Sequence, residues 1–173
     1  MSKNSFVIAV YVENKYGVLT RVTSMFTRRG FNIDTLTVGE TESPEYSRIT
    51  ISLSGEESDR NALVSQLKKL YNVRKVEVIT ADKGIRRELM LIKVKNSTEN
   101  RNDIKDAVDV FKAKIVDYSA TALICELTGE TSKIDAFIDL MKGFGIMEMC
   151  RTGIVAIERG ENCLRTAVQP DTV

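Results

Sequence analysis

The run from Phe6 to Val12 is apolar throughout except for the Tyr11 hydroxyl, and a polar turn, Glu13-Asn14-Lys15-Tyr16-Gly17, follows it directly. A run of that kind suits a central strand covered on at least one face. Val18, Val22, Met25 and Phe26 then recur at helical spacing, and Gly30 stands where a left-handed C-terminal cap belongs. Ile33 to Glu40 and the strictly alternating Ile49, Ile51 and Leu53 predict a hairpin that turns through Thr41 to Glu45. A helix carrying Leu63, Val64, Leu67 and Leu70, capped by Ser58 or Asp59, leads to a last strand marked by Val73, Val76 and Val78. The order is β-α-β-β-α-β over about eighty residues, the split βαβ or ferredoxin-like unit.

The same grammar then repeats without obvious sequence repetition. Thr80 to Gly84 is a polar connector. Glu88 to Val94 reads as a strand, Ile104, Ala107, Val108 and Phe111 as a helix opened near Asn102, and Ile115 to Ser119 and Ala122 to Leu127 as two strands. Ile134, Phe137, Ile138 and Met141 mark a second helix with Ser132 as its cap, and Ile146 to Ile157 is a final extended segment interrupted at Arg151-Thr152-Gly153. The expectation is an α+β chain of two ferredoxin-like βαββαβ domains, 1–80 and 81–160, followed by a flexible polar tail, 161–173.

Composition narrows the chemistry. The 173 residues include no histidine, which removes the commonest general base, metal ligand and pH switch together. Cys125, Cys150 and Cys163 are widely separated, with no paired spacing for zinc or a disulfide framework, and no metal site is expected. Lys and Arg total 25 against 24 Asp and Glu, so no global basic field points to nucleic acid or an anionic membrane. Asp103, Asp106 and Asp109 lie away from the apolar stripe of their helix and read as a wet face. The N-terminal residues lack the blocks of a signal peptide and no apolar run is long enough to span a bilayer, so a cytoplasmic location is expected. Nucleotide-cradling and serine-nucleophile motifs are absent.

What remains is the turn after the first strand. A helix start offers unpaired backbone N–H groups to a carboxylate, Gly17 lets a ligand approach the backbone, and Asn14 and Asn32 can donate or accept toward an amino group. None of these groups performs acid–base chemistry at neutral pH, so the stretch reads as a receptor for a small zwitterion and not as a catalytic site. Turn chemistry alone also accounts for Asn14 and Gly17. Asn32 stands out more, because it opens a strand where a β-branched or apolar residue is usual.

The residues Glu13-Asn14, Gly17-Val18-Leu19, Arg21-Val22, Arg28 to Ile33, Leu36-Thr37-Val38 and Ser47 to Ile51 together resemble the small, regulatory subunit of acetolactate synthase. The likeness continues through Arg87 to Val94, Lys133 to Phe137 and Arg151-Thr152-Gly153. It implies that the first half is an ACT domain that pairs with a second copy and binds a branched-chain amino acid, typically valine, at the interface. On that likeness Asn14 and Gly17 of one protomer and Asn32 of the other hold the effector, helped by groups near Val18, Leu19 and Ile33. It further implies a chain without catalysis of its own that activates a separate large subunit and confers feedback inhibition on it. Thiamine diphosphate, Mg and FAD are then expected only in that catalytic partner. A free-standing amino-acid sensor acting on another enzyme or on transcription is the alternative. An RNA reader on the same topology would need exposed aromatic and basic residues on its central strands, and Phe6 to Val10 offers little of either.

Overall fold

The computed structural model describes residues 4–165. In chain order these form β1 (Asn4–Glu13), α1 (Val18–Arg28), β2 (Thr35–Glu40), β3 (Tyr46–Gly55), α2 (Glu57–Leu67) and β4 (Val73–Ile79). The second round is β5 (Gly84–Lys95), α3 (Arg101–Phe111), β6 (Lys114–Tyr118), β7 (Ala122–Gly129), α4 (Thr131–Lys142) and β8 (Ile146–Arg151), with a short β9 (Val155–Glu158) after it. The two expected β-α-β-β-α-β rounds are therefore both present.

The chain divides into two compact units. In the first, the sheet order is β2-β3-β1-β4, with β1 antiparallel to both neighbours. The uninterrupted apolar run of β1 has a simple cause, because both of its faces are covered. Phe6, Ile8, Val10 and Val12 pack with Val22, Phe26, Leu63 and Leu67 beneath the helices. Val7, Ala9 and Tyr11 point to the other face, where Ile79, Ile154, Ala156 and Leu164 bury against them. Each such fully buried aliphatic or aromatic side chain contributes roughly 1.5–3 kcal/mol.

Residues from Ile154 onward cluster with those up to Ile85, while Arg86–Gly153 form the second compact unit. The extended segment expected over residues 146–157 is accordingly two strands, and β9 pairs with β5. Of the tail expected over residues 161–173, residues 166–173 lie outside the described range. Leu164, within it, is only 8% exposed and belongs to the apolar cluster on the second face.

In the second unit the order is β6-β7-β5-β8. One face carries Met90, Ile92, Val94, Leu123, Cys125 and Leu127 onto Ile104, Ile134, Phe137 and Met141 of the two helices. Helix caps differ in detail from expectation. Glu56 precedes α2 and its N–H donates to Asp59 Oδ2 at 3.2 Å. Glu130 precedes α4 in place of Ser132, so that helix begins slightly earlier than expected, and Asn100, near Asn102, precedes α3. Asp103, Asp106 and Asp109 are all exposed, as a solvated face requires.

Candidate effector site

The polar turn leaves β1 at Glu13, the last strand residue and a buried one at 6% exposure. Its carboxylate accepts from Asn72 Nδ2 at 2.8 Å and Lys15 Nζ at 2.9 Å, and also from the Arg74 guanidinium. The Glu13 N–H donates to the Asn72 carbonyl at 2.9 Å, while Asn72 Oδ1 accepts from Arg21 in the first turns of α1 at 2.5 Å. Asn72, just ahead of β4, thus ties the end of β1 to the start of α1. The hydrogen bonds from Lys15 and Asn72, reinforced by the nearby Arg74 charge and opposed by burial, lower the Glu13 pKa from 4.5 to about 2. A group whose folded value is depressed contributes stability fully above its ordinary pKa and loses it as the pH falls. The thermal midpoint should therefore drop as pH is lowered from 4.5 to about 2, and Glu13→Gln should reduce that dependence in acid titrations followed by circular dichroism.

Next in the chain, Asn14 is exposed and latches the β2–β3 turn. Its Nδ2 donates to Glu40 Oε1 at 3.2 Å and to the Pro44 carbonyl at 2.9 Å, and its N–H donates to the Glu45 carbonyl at 2.7 Å. Both amide donors are therefore used internally, while the side-chain carbonyl receives no hydrogen bond from the described residues. An amide presented this way is suited to accept from an ammonium group.

Gly17 caps α1 with φ 77°, and no side chain closes the helix start. The Val18 N–H reaches the Lys15 carbonyl at 3.3 Å and the Arg21 N–H reaches Gly17 at 3.0 Å, whereas the Leu19 and Thr20 N–H groups have no partner among the described residues. Two free donors at the positive end of a helix dipole form a receptor for a carboxylate. A Cβ on Gly17 would meet nothing within 4 Å, so the glycine is demanded by backbone angle and not by space. Gly17→Ala should accordingly cost about 1–2 kcal/mol of stability, measurable by urea unfolding, without creating a clash.

Val18 is buried at 5% and Leu19 is 40% exposed, so of these two only Leu19 presents a substantial apolar surface at the turn. Asn32 and Ile33 lie at the other end of α1, beyond Gly30 at φ 72°. Asn32 is exposed, without a side-chain hydrogen bond to the described residues, and Ile33 packs partly into the core. With 11 residues in α1, the helix alone separates the Asn14 and Asn32 ends by about 16 Å. The sheet register agrees. Thr35 stands opposite Ser52, which stands opposite Val7, whereas Asn14 lies beyond the far end of β1. One chain brings Asn14, Gly17, Val18 and Leu19 together, and leaves Asn32 and Ile33 elsewhere.

The residues missing from the sequence reading are Asn72, Arg74 and Glu40, which hold this turn from strands distant in sequence. Asn72 lies in the turn between α2 and β4, and its partner Glu13 is 59 positions away. Local pattern contains no signal for that pairing. Among the described residues no cluster of three or more His, Cys, Asp or Glu could hold a metal ion. Burial raises the Cys125 thiol to about 11, which leaves it un-ionised at neutral pH. None of the helices in the described range is long and apolar enough to cross a membrane.

Comparison with known proteins places these features in context. A family model described as an AHAS small subunit-like ACT domain matches residues 8–75, and one described as the small subunit of acetolactate synthase matches residues 87–160. The probable acetolactate synthase small subunit of Archaeoglobus fulgidus is 48% identical over 153 residues, covering 88% of this chain and 96% of that protein. The acetolactate synthase small subunit of Mycolicibacterium smegmatis is 44% identical over 153 residues, with 88% and 90% covered. The crystal structure of the acetolactate synthase small subunit from Thermotoga maritima superposes with a TM-score of 0.85 at 38% identity, covering 92% of this chain and 99% of that one.

Proposed function

Because this chain belongs to the acetolactate synthase small-subunit family, we propose that it is the non-catalytic regulatory partner of a thiamine-diphosphate-dependent large subunit. It activates that subunit in the cytoplasm and makes it subject to feedback inhibition by a branched-chain amino acid, valine foremost. Thiamine diphosphate, Mg and FAD belong to the large subunit. The observation that carries the effector reading is the half-built site. Free N–H groups at the start of α1 await a carboxylate and the Asn14 carbonyl awaits an ammonium, while Asn32 sits at the opposite end of the helix. A second copy pairing with the first supplies the missing Asn32 and Ile33, so effector binding and dimerisation are linked.

Valine shifts activity only by binding the inhibited arrangement better than the activating one. A difference of about 1–3 kcal/mol gives a several-fold to hundred-fold effect. The match of the second unit to the same family as the first favours a dedicated catalytic partner over a free-standing sensor. The direct experiment is an acetolactate-forming assay of the large subunit with and without this chain, titrated with valine, leucine and isoleucine. Activation by the chain together with inhibition by at least one of the three is the expected result. An unchanged rate with and without the chain would sink the reading.

A further inference from the structure

On the sheet face of the first unit turned away from its helices, the register sets Gly39, Arg48, Tyr11 and Lys75 side by side in one row. Thr37, Thr50, Ala9 and Glu77 form the next row. Residues 157–165 and the start of the β2–β3 turn close over part of this surface and leave a cavity of about 400 Å³. That is within the size range of small-molecule sites. Its floor is apolar, with Tyr11 3%, Ile79 2% and Leu164 8% exposed. Gly39 offers no side chain to fill the space beside Arg48, and a Cβ there would meet nothing within 4 Å.

Arg48 also lines this cavity and is the unusual member. Its guanidinium is partly buried, donates to the Ala156 carbonyl, and has no carboxylate within ion-pairing distance among the described residues. Burial lowers its pKa while the more distant Glu77 and Glu42 raise it. Those two acids are turned to other cations, Glu77 to Lys75 at 2.9 Å and Glu42 to Arg165 at 3.6 Å. A half-desolvated guanidinium beside an apolar floor, with no acid paired to its planar fork among the described residues, is arranged for a planar carboxylate. Glu40, Glu42, Glu77 and Glu158 also line the cavity, and their charge opposes any anion there, a doubly charged phosphate more than a monocarboxylate.

We infer that this cavity is a second ligand site, separate from the turn after β1, which takes a small aliphatic monocarboxylate with its carboxylate on Arg48 and its hydrocarbon on Tyr11, Ile79 and Leu164. The probe is 3-methylbutanoate, which carries the carboxylate and branched chain but lacks the ammonium that the Asn14 site requires. Titrated into the full chain by calorimetry, it should saturate at one per chain with a Kd on the order of 1 mM. Asn32→Ala, at an exposed residue that does not line the cavity, should leave that affinity unchanged. Arg48→Met should weaken it at least tenfold. Glu42→Gln removes an opposing charge at the rim and should tighten it about three- to tenfold, a gain that a misfolded variant cannot mimic. Failure of the wild-type chain to saturate, equal affinity in Glu42→Gln and wild type, or displacement by inorganic phosphate at lower concentration than by other carboxylates would each overturn the inference. Loss of valine sensitivity in Asn32→Ala with 3-methylbutanoate binding intact keeps the two sites distinct.

Discussion

Replacing Asn14 or Asn32 by Ala is expected to raise the valine concentration for half-inhibition roughly 10- to 150-fold, the loss of one hydrogen bond to a charged group. Activation of the large subunit should persist in both variants. The two residues differ in what else they do. Asn14 holds Glu40 and the Pro44 carbonyl, so its loss also loosens the β2–β3 turn, whereas Asn32 is exposed and makes no side-chain bond to the described residues. Asn32→Ala is therefore the cleaner variant, with little change in thermal stability. Mixing the two variants discriminates further. A dimer of one Asn14→Ala chain and one Asn32→Ala chain contains one doubly damaged site and one intact site if each site draws on both protomers. Valine sensitivity should then partly return on mixing. If mixing restored nothing, or if either variant kept full sensitivity, the shared site would be wrong.

Glu88→Ala is expected to destabilise the second unit by about 3–5 kcal/mol, the cost of leaving a buried ion pair broken. Glu88 is 2% exposed and accepts both Arg151 Nε at 2.9 Å and Nη2 at 2.7 Å, together with the Thr131 hydroxyl. Arg151 also reaches Asp135 at 2.9 Å. One carboxylate thereby joins β5, the end of β8 and the first turn of α4. Thr152 extends the join, its N–H donating to the Leu89 carbonyl at 3.0 Å and its hydroxyl oxygen accepting from the Leu89 N–H at 3.1 Å. A thermal midpoint lowered by roughly 10 °C follows from that energy for a chain of this size. Removing Arg151 as well should recover part of the loss, because the uncompensated charge goes with it. Additive losses in the double variant would show that the two side chains act independently.

The arginine, threonine and glycine at residues 151–153 illustrate the limit of local reading. As sequence they looked like an interruption in one extended segment. In three dimensions they end β8, satisfy Glu88, and release the chain so that Ile154, Ala156 and Leu164 pack on the first unit's sheet. The alternating and helical periodicities were legible because each reports a face buried against something, whatever that something is. Which distant residue supplies the cover is not encoded in the period.

The same division holds at the turn after β1. Sequence by itself determined that a strand ends, that a glycine-bearing turn leads into a helix, and that asparagines without acid–base capacity flank it, since these follow from residue patterning and side-chain chemistry alone. Tertiary structure decided that Asn72 and Arg74 hold Glu13, that Asn14 spends its donors on Glu40 and Pro44 and keeps its carbonyl, and that Asn32 stands at the far end of α1. The physical reason is that hydrogen bonds and helix length act through space, and a strand-helix-strand path places residues close in sequence at opposite ends of the sheet.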